Sequence, residues 1–259
     1  MSFHPHAIGP CRVLAVALVA LFPGAARAAG LENEHVRFVF DQARGFALTE
    51  VTHQGMKTAF VGDRPGPLWK LLFRDGTGTE VSVLADAPAT RTASPRPGGL
   101  ALRWEGIRAG QGTLRVVADL SLPAGARLAE WRLQAAWTDP NLALRQADFP
   151  RVAGIRKVAD DDALTLPVYW GRLAKDPVRK LARYGVTYPV PGSMQYASYY
   201  GGGAGLYLAA ADPGCWMKQL LWTSDAKAGA ADLSLVNWAP VPAASPGRWE
   251  MPYPAIVGV

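Results

Sequence analysis

The chain has 259 residues, 49% of them hydrophobic, which is enough for a substantial core in one large all-β domain or two small ones, and a single domain is expected. A formal charge of +6 is too modest, and its basic residues too scattered, for a nucleic-acid-binding face. Two cysteines, Cys11 and Cys215, exclude a disulfide scaffold, because Cys11 falls in a segment that reads as removable.

That segment comes first. Arg12 precedes an apolar run from Val13 to Phe22, and Ala26-Arg27-Ala28 fits the small-x-small rule for signal cleavage. Residues 1–28 are therefore expected to be a signal peptide and 29–259 a secreted or periplasmic domain. A run of about ten apolar residues is too short to span a bilayer. Removal of Arg12 and Arg27 takes the charge from +6 to +4.

From Val36 to Val83 the pattern has period two. Val36, Phe38 and Phe40 share one face, as do Val81 and Val83 further on, and closely spaced glycines leave no room for crossover helices. His35 and His53, the histidines of the mature chain, have no partner at a catalytic or metal-ligand spacing and read as surface residues. Pro88 to Gly99 reads as a surface connection. Strand alternation resumes with Leu100, Leu102 and Trp104.

The clearest pair of strands follows. Leu114, Val116, Ala118, Leu120 and Leu122 alternate with polar residues, Trp131, Leu133, Ala135 and Trp137 do the same, and Pro123-Ala124-Gly125-Ala126 joins them, which predicts a long antiparallel hairpin. One-sided alternation belongs to sheets packed face to face and argues against a parallel α/β fold. Asp160-Asp161-Asp162 lacks calcium-loop spacing and reads as a solvated turn. Asp176 as N-cap, Pro177 in the first turn and Gly185 as a left-handed stop predict a short helix carrying a solvated basic face with Arg179, Lys180 and Arg183.

From Tyr188 to Asp212 two short β-like runs meet at Gly201, Gly202 and Gly203, which predicts a hairpin. Alternation puts Tyr199 on the face opposite Tyr196 and Tyr200. Beyond it Trp216, Lys218, Leu220 and Trp222 alternate with Cys215, Met217, Gln219 and Leu221, so that strand is apolar on both faces and is expected to be central. Cys215 in that run is expected to be a buried, inert thiol. Leu233, Leu235 and Asn237 form another strand, and an apolar one ends at Val259.

Two motifs in order carry a resemblance. Tyr188-Pro189, Gly192-Ser193-Met194-Gln195-Tyr196, Tyr199, Gly205-Leu206-Tyr207 and Asp212 form one; Phe149-Pro150, Gly154, Leu166-Pro167 and Gly171 form the other. Together they resemble the N-terminal β-supersandwich, of galactose-mutarotase-like fold, in large uncharacterised glycoside-hydrolase-like proteins. The resemblance implies an all-β antiparallel supersandwich with at most short helices. It also implies a following barrel that holds the catalytic carboxylates, and this chain stops before such a barrel could begin.

Three functions fit. The first is a non-catalytic sandwich module of a secreted carbohydrate-active protein, whose partners would be carbohydrate or a C-terminal catalytic barrel. The second is an aldose-1-epimerase-like enzyme, which needs a general acid and base across a sugar ring. The third is a structural or adhesive envelope sandwich without a sugar site. No nucleophile elbow, zinc-protease motif or phosphate-binding glycine loop is present, and no catalytic residue, metal or cofactor is assigned. Aromatic residues close to predicted loops are the candidates for stacking on sugar: Tyr169, Trp170, Tyr196, Tyr199, Tyr200 and Trp216.

Overall fold

A computed structural model describes residues 28–62, 64–239 and 247–259. The expected signal peptide, apart from Ala28, lies outside the described residues. Strands β1 (Ala28–Glu32), β2 (Val36–Asp41), β3 (Ala47–His53) and β4 (Thr58–Ala59) make a four-stranded antiparallel meander. Next come β5 (Lys70–Arg74), β6 (Glu80–Leu84), β7 (Thr90–Arg96), β8 (Gly99–Ala109), β9 (Gly112–Ser121), β10 (Leu128–Trp137) and the long β11 (Ala143–Arg156). After β12 (Ala163–Leu166) and β13 (Arg172–Lys175), one helical turn, α1 (Pro177–Lys180), leads into β14 (Arg183–Tyr188). The chain continues with β15 (Tyr196–Gly201), β16 (Ala204–Ala210), β17 (Lys218–Asp225), β18 (Ala230–Trp238), β19 (Arg248–Glu250) and β20 (Ala255–Gly258).

Two larger sheets face each other. A ten-stranded sheet runs in the order β13-β12-β15-β16-β20-β10-β9-β8-β7, with β19 on β10 beyond the end of β20, and a six-stranded sheet runs β14-β17-β18-β11-β5-β6. Every pairing is antiparallel and neither sheet closes into a barrel, so the fold is an all-β supersandwich.

Period-two sequence produces this packing directly. In β9 and β10 the inward residues, Leu114 to Leu120 and Trp131 to Trp137, are buried while their neighbours reach solvent. Aromatic rings then bridge the sheets: Trp137 meets Phe73 at 5.2 Å between centroids, Trp104 meets Trp69 at 5.5 Å, and Tyr199 meets Trp222 at 5.6 Å. The meander caps the same core by placing Phe38 5.3 Å from Trp131. Burying a side chain such as Phe38 is worth roughly 1.5–3 kcal/mol, and edge-to-face ring pairs add to that.

Several local expectations are corrected. The predicted helix is one turn only, because Arg183–Tyr188 pairs with β17 and Gly185 lies opposite Leu221 in extended conformation instead of ending a helix. Asp176 adopts the left-handed conformation and makes no side-chain cap. The β-favouring run Tyr184-Gly185-Val186-Thr187-Tyr188 gains a full ladder of backbone bonds at the edge of the six-stranded sheet, which local helix signals cannot match. Within 88–99, residues Thr90–Arg96 form edge strand β7, where Pro95 is tolerated. The aspartate turn is present, but Asp162 is buried and accepts the Tyr199 hydroxyl at 2.5 Å. Trp216 and Met217 precede the central strand and lie exposed in a loop.

Candidate functional site

The site begins with a lysine. Lys218 opens β17 on an inward-facing position with 1% of its surface exposed, and a charge there must be fully partnered to be tolerated. Its Nζ donates to Asp212 Oδ2 at 2.5 Å, to the Trp216 carbonyl at 2.6 Å and to Gln195 Oε1 at 2.8 Å. All three ammonium hydrogens are used. The Tyr188 and Tyr253 rings lie 4.7 and 4.6 Å from the same nitrogen, within cation–π range. Burial pushes the lysine pKa below its ordinary value, while the Asp212 carboxylate and its hydrogen bond hold it up. An ammonium so occupied has no free lone pair or open donor, so its chemistry is that of a clamp.

The clamp shapes three loops. Asp212 Oδ1 accepts the Gly214 amide at 2.8 Å and Oδ2 the Trp216 amide at 2.7 Å, which folds 212–217 around the carboxylate. Gln195 Nε2 donates to the Asp212 carbonyl at 2.8 Å, fastening the 188–195 loop to it. That loop in turn holds 167–171: Tyr169 N donates to the Pro191 carbonyl at 3.1 Å, and Ser193 N to the Pro167 carbonyl at 2.8 Å. Behind the lysine, the Tyr253 hydroxyl donates to Asn237 Oδ1 at 2.5 Å, and Asn237 Nδ2 donates to the Ala147 and Phe149 carbonyls of β11.

The pinned loops present apolar side chains to solvent. Trp170 is fully exposed at 102%, on a tight turn closed by Gly171 N donating to the Val168 carbonyl at 2.8 Å, with Tyr169 in the left-handed region at φ 50°. Tyr169, Val190, Met194, Trp216 and Met217 are exposed in the same three loops. Cys215 is exposed as well, contrary to the expectation of a buried thiol: its residue turns through φ 55° in the loop, and Sγ lies 3.4 Å from the Tyr188 hydroxyl oxygen.

The six aromatic candidates therefore separate. Tyr169, Trp170 and Trp216 belong to the loop cluster. Tyr196 is half-buried on the outer face of the ten-stranded sheet, stacked on Tyr207 at 5.6 Å, and Tyr200 is exposed near the glycine turn of the same hairpin. Tyr199 is a core residue without exposed surface; its ring packs on Phe60 and Trp222, and its hydroxyl donates to Asp162 with the Arg156 carbonyl oxygen 3.0 Å away, so it offers nothing to a ligand. Lys218, Asn237 and Tyr253 carry the clamp and were not singled out in the sequence. A lysine on the apolar face of a central strand, six residues after an aspartate, is the signal that points to such a buried pair.

His53 ends β3 and its Nδ1 accepts the Met56 amide, while His35 lies 3.9 Å from the Glu34 carboxylate. Among the described residues no group of three or more His, Cys, Asp or Glu side chains is placed to hold a metal, and no helix is long and apolar enough to cross a membrane.

No protein-family model matches the chain, and no curated protein matches its sequence. Solved structures do match in fold. An α-N-acetylgalactosaminidase from Bifidobacterium bifidum, in complex with GalNAc, superposes with a TM-score of 0.61 over 88% of this chain and 35% of its own, at 12% identity. The Slr1438 protein from Synechocystis superposes with a TM-score of 0.57 over 93% of this chain and 98% of its own, at 13% identity. A putative aldose 1-epimerase from Klebsiella pneumoniae gives a TM-score of 0.53 over 92% of this chain and 81% of its own, at 8% identity. Several other matched proteins are much longer, and this chain spans less than half of their length. The shared feature is an antiparallel sandwich of the galactose-mutarotase and aldose-epimerase kind.

Proposed function

We propose that this chain is a non-catalytic sandwich module of a carbohydrate-active, glycoside-hydrolase-like protein, and that it contacts carbohydrate through the loop cluster around Trp170. The carrying observation is Trp170 itself: an indole wholly in solvent on a tight turn, beside the exposed Tyr169 and tied to the 188–195 loop. Folding gains nothing from leaving so large an apolar surface in water, whereas the C–H face of a pyranose ring gains from stacking on it. The Lys218 clamp supports the reading because it holds the loops in one arrangement, which lowers the entropy cost of binding. A catalytic barrel following this domain would be the second partner. Export through the 1–28 segment would put the module where polysaccharide is met, in the periplasm or outside the cell.

Glycan titration of Trp170→Ala tests the reading. Oligosaccharide binding is expected to weaken by about 1–3 kcal/mol, the usual loss for one aromatic contact, with the melting temperature unchanged because the ring is not part of the core. If the parent protein bound no glycan, the carbohydrate reading would fail and a structural envelope sandwich would take its place.

A further inference from the structure

The outer face of the ten-stranded sheet carries a second feature, unrelated to the loop cluster. A groove of about 310 Å³ lies across β8, β9, β10 and β19. Its floor follows from strand register. Val117 sits between Arg103 on β8 and Gln134 on β10, and Ala136 sits between Arg115 on β9 and Arg248 on β19. Short side chains on the inner strands, flanked by long ones two strand spacings (about 10 Å) apart, leave a trough with arginines along its walls.

The charges in that trough do not balance. Arg115 has Glu105 at 3.4 Å, Arg248 has Glu250 at 3.8 Å, and Asp119 is taken by Arg96 at 3.0 Å. Arg103 is half-buried and has neither a carboxylate nor a hydrogen-bond partner among the described residues. Exposed pairs such as those of Arg115 and Arg248 are weak, so both guanidiniums are free to turn toward a stronger acceptor. A guanidinium is built to grip a planar or tetrahedral oxyanion through two parallel hydrogen bonds. Gln134, on the β10 wall, is suited to a sugar hydroxyl.

We propose that this groove binds an oxyanion, carboxylate or sulfate, carried on a saccharide, with Arg103 as the anchoring residue and Arg248 as its companion. The saccharide part rests on the carbohydrate reading of the module; the demand for negative charge comes from the arginines alone.

The test titrates the full chain with three trisaccharides of equal length: an oligogalacturonate, a sulfated galactan fragment and a neutral galactan fragment. At least one charged ligand should bind about tenfold more tightly than the neutral one, the scale of one charge-assisted hydrogen bond. That preference should collapse in Arg103→Gln, or in the more exposed Arg248→Gln should the first variant fail to fold by circular dichroism. Which charged ligand is favoured identifies the source of the oxyanion. A parent protein that binds all three alike, or none, overturns the proposal, as does a preference that survives the arginine substitution. Trp170→Ala, measured alongside, reports on the loop cluster only: a uniform loss for all three ligands bears on that site and not on the groove.

Discussion

Lys218 is where a single side chain decides the arrangement of three loops. Replacing it with methionine leaves the Asp212 carboxylate buried beside two backbone amides with its cation gone. Lys218→Met is therefore expected to destabilise the fold by about 3–5 kcal/mol, the usual cost of breaking a buried pair, and chemical denaturation should show it as a lowered midpoint. Tyr199 gives a second test. Burial, the bond to Asp162 and that residue's charge raise its hydroxyl pKa well above the ordinary tyrosine value. An unfolded tyrosine loses its proton near pH 10, so the stability Tyr199 contributes is whole below that pH and is lost as the pH climbs through and beyond it. Tyr199→Phe should thus lose less stability between pH 9 and pH 11 than the parent does; equal losses would count against this assignment. Alternation separated Tyr199 from its two neighbours in the sequence, yet nothing there marked it as the core residue of the three. Which face of a hairpin is inward is decided by the sheet opposite, here by Trp222 and Phe60.

At the level of elements, the strands with one-sided alternation were legible and their boundaries nearly so. The β9–β10 hairpin is the clearest example, since its pattern holds over ten residues on each side. The 196–210 hairpin was legible from its glycines. β14 was not, because its first residues look like the end of a helix and only the ladder to β17 overrides that. β11 shows what a motif glycine is for. Gly154 stands at φ 77° in the irregularity between Val152 and Ile155, donates its amide to Asp232 Oδ1 at 3.1 Å, and leaves no room for a Cβ, which would lie 2.5 Å from the Arg64 carbonyl oxygen. Gly154→Ala should cost about 1–3 kcal/mol from backbone conformation alone, with the clash added, and thermal melts of the variant would read it. The sequence marked this glycine only as part of a motif; its role needed the Arg64 backbone on the other side.

Sheet order was the least legible property of the whole molecule. Every half-buried strand shows the same alternation, so pattern alone cannot say that β20 slots between β16 and β10, with Trp131 opposite Ala255 and Leu208 opposite Val257. That placement makes the last-numbered strand a keystone. A chain lacking Ala255–Val259 would leave the ten-stranded sheet as two separate groups of strands, each with an open hydrogen-bonding edge. Such a truncation is expected to show no cooperative thermal transition and to bind hydrophobic dye, whereas a sharp melt near the parent temperature would refute the expectation. The keystone also sets a clock on biogenesis. Until Gly258 has emerged from the ribosome, the main sheet has no completed form, so the two groups of strands made before it wait unjoined. During that interval their unpaired edges are open to pairing with other strands.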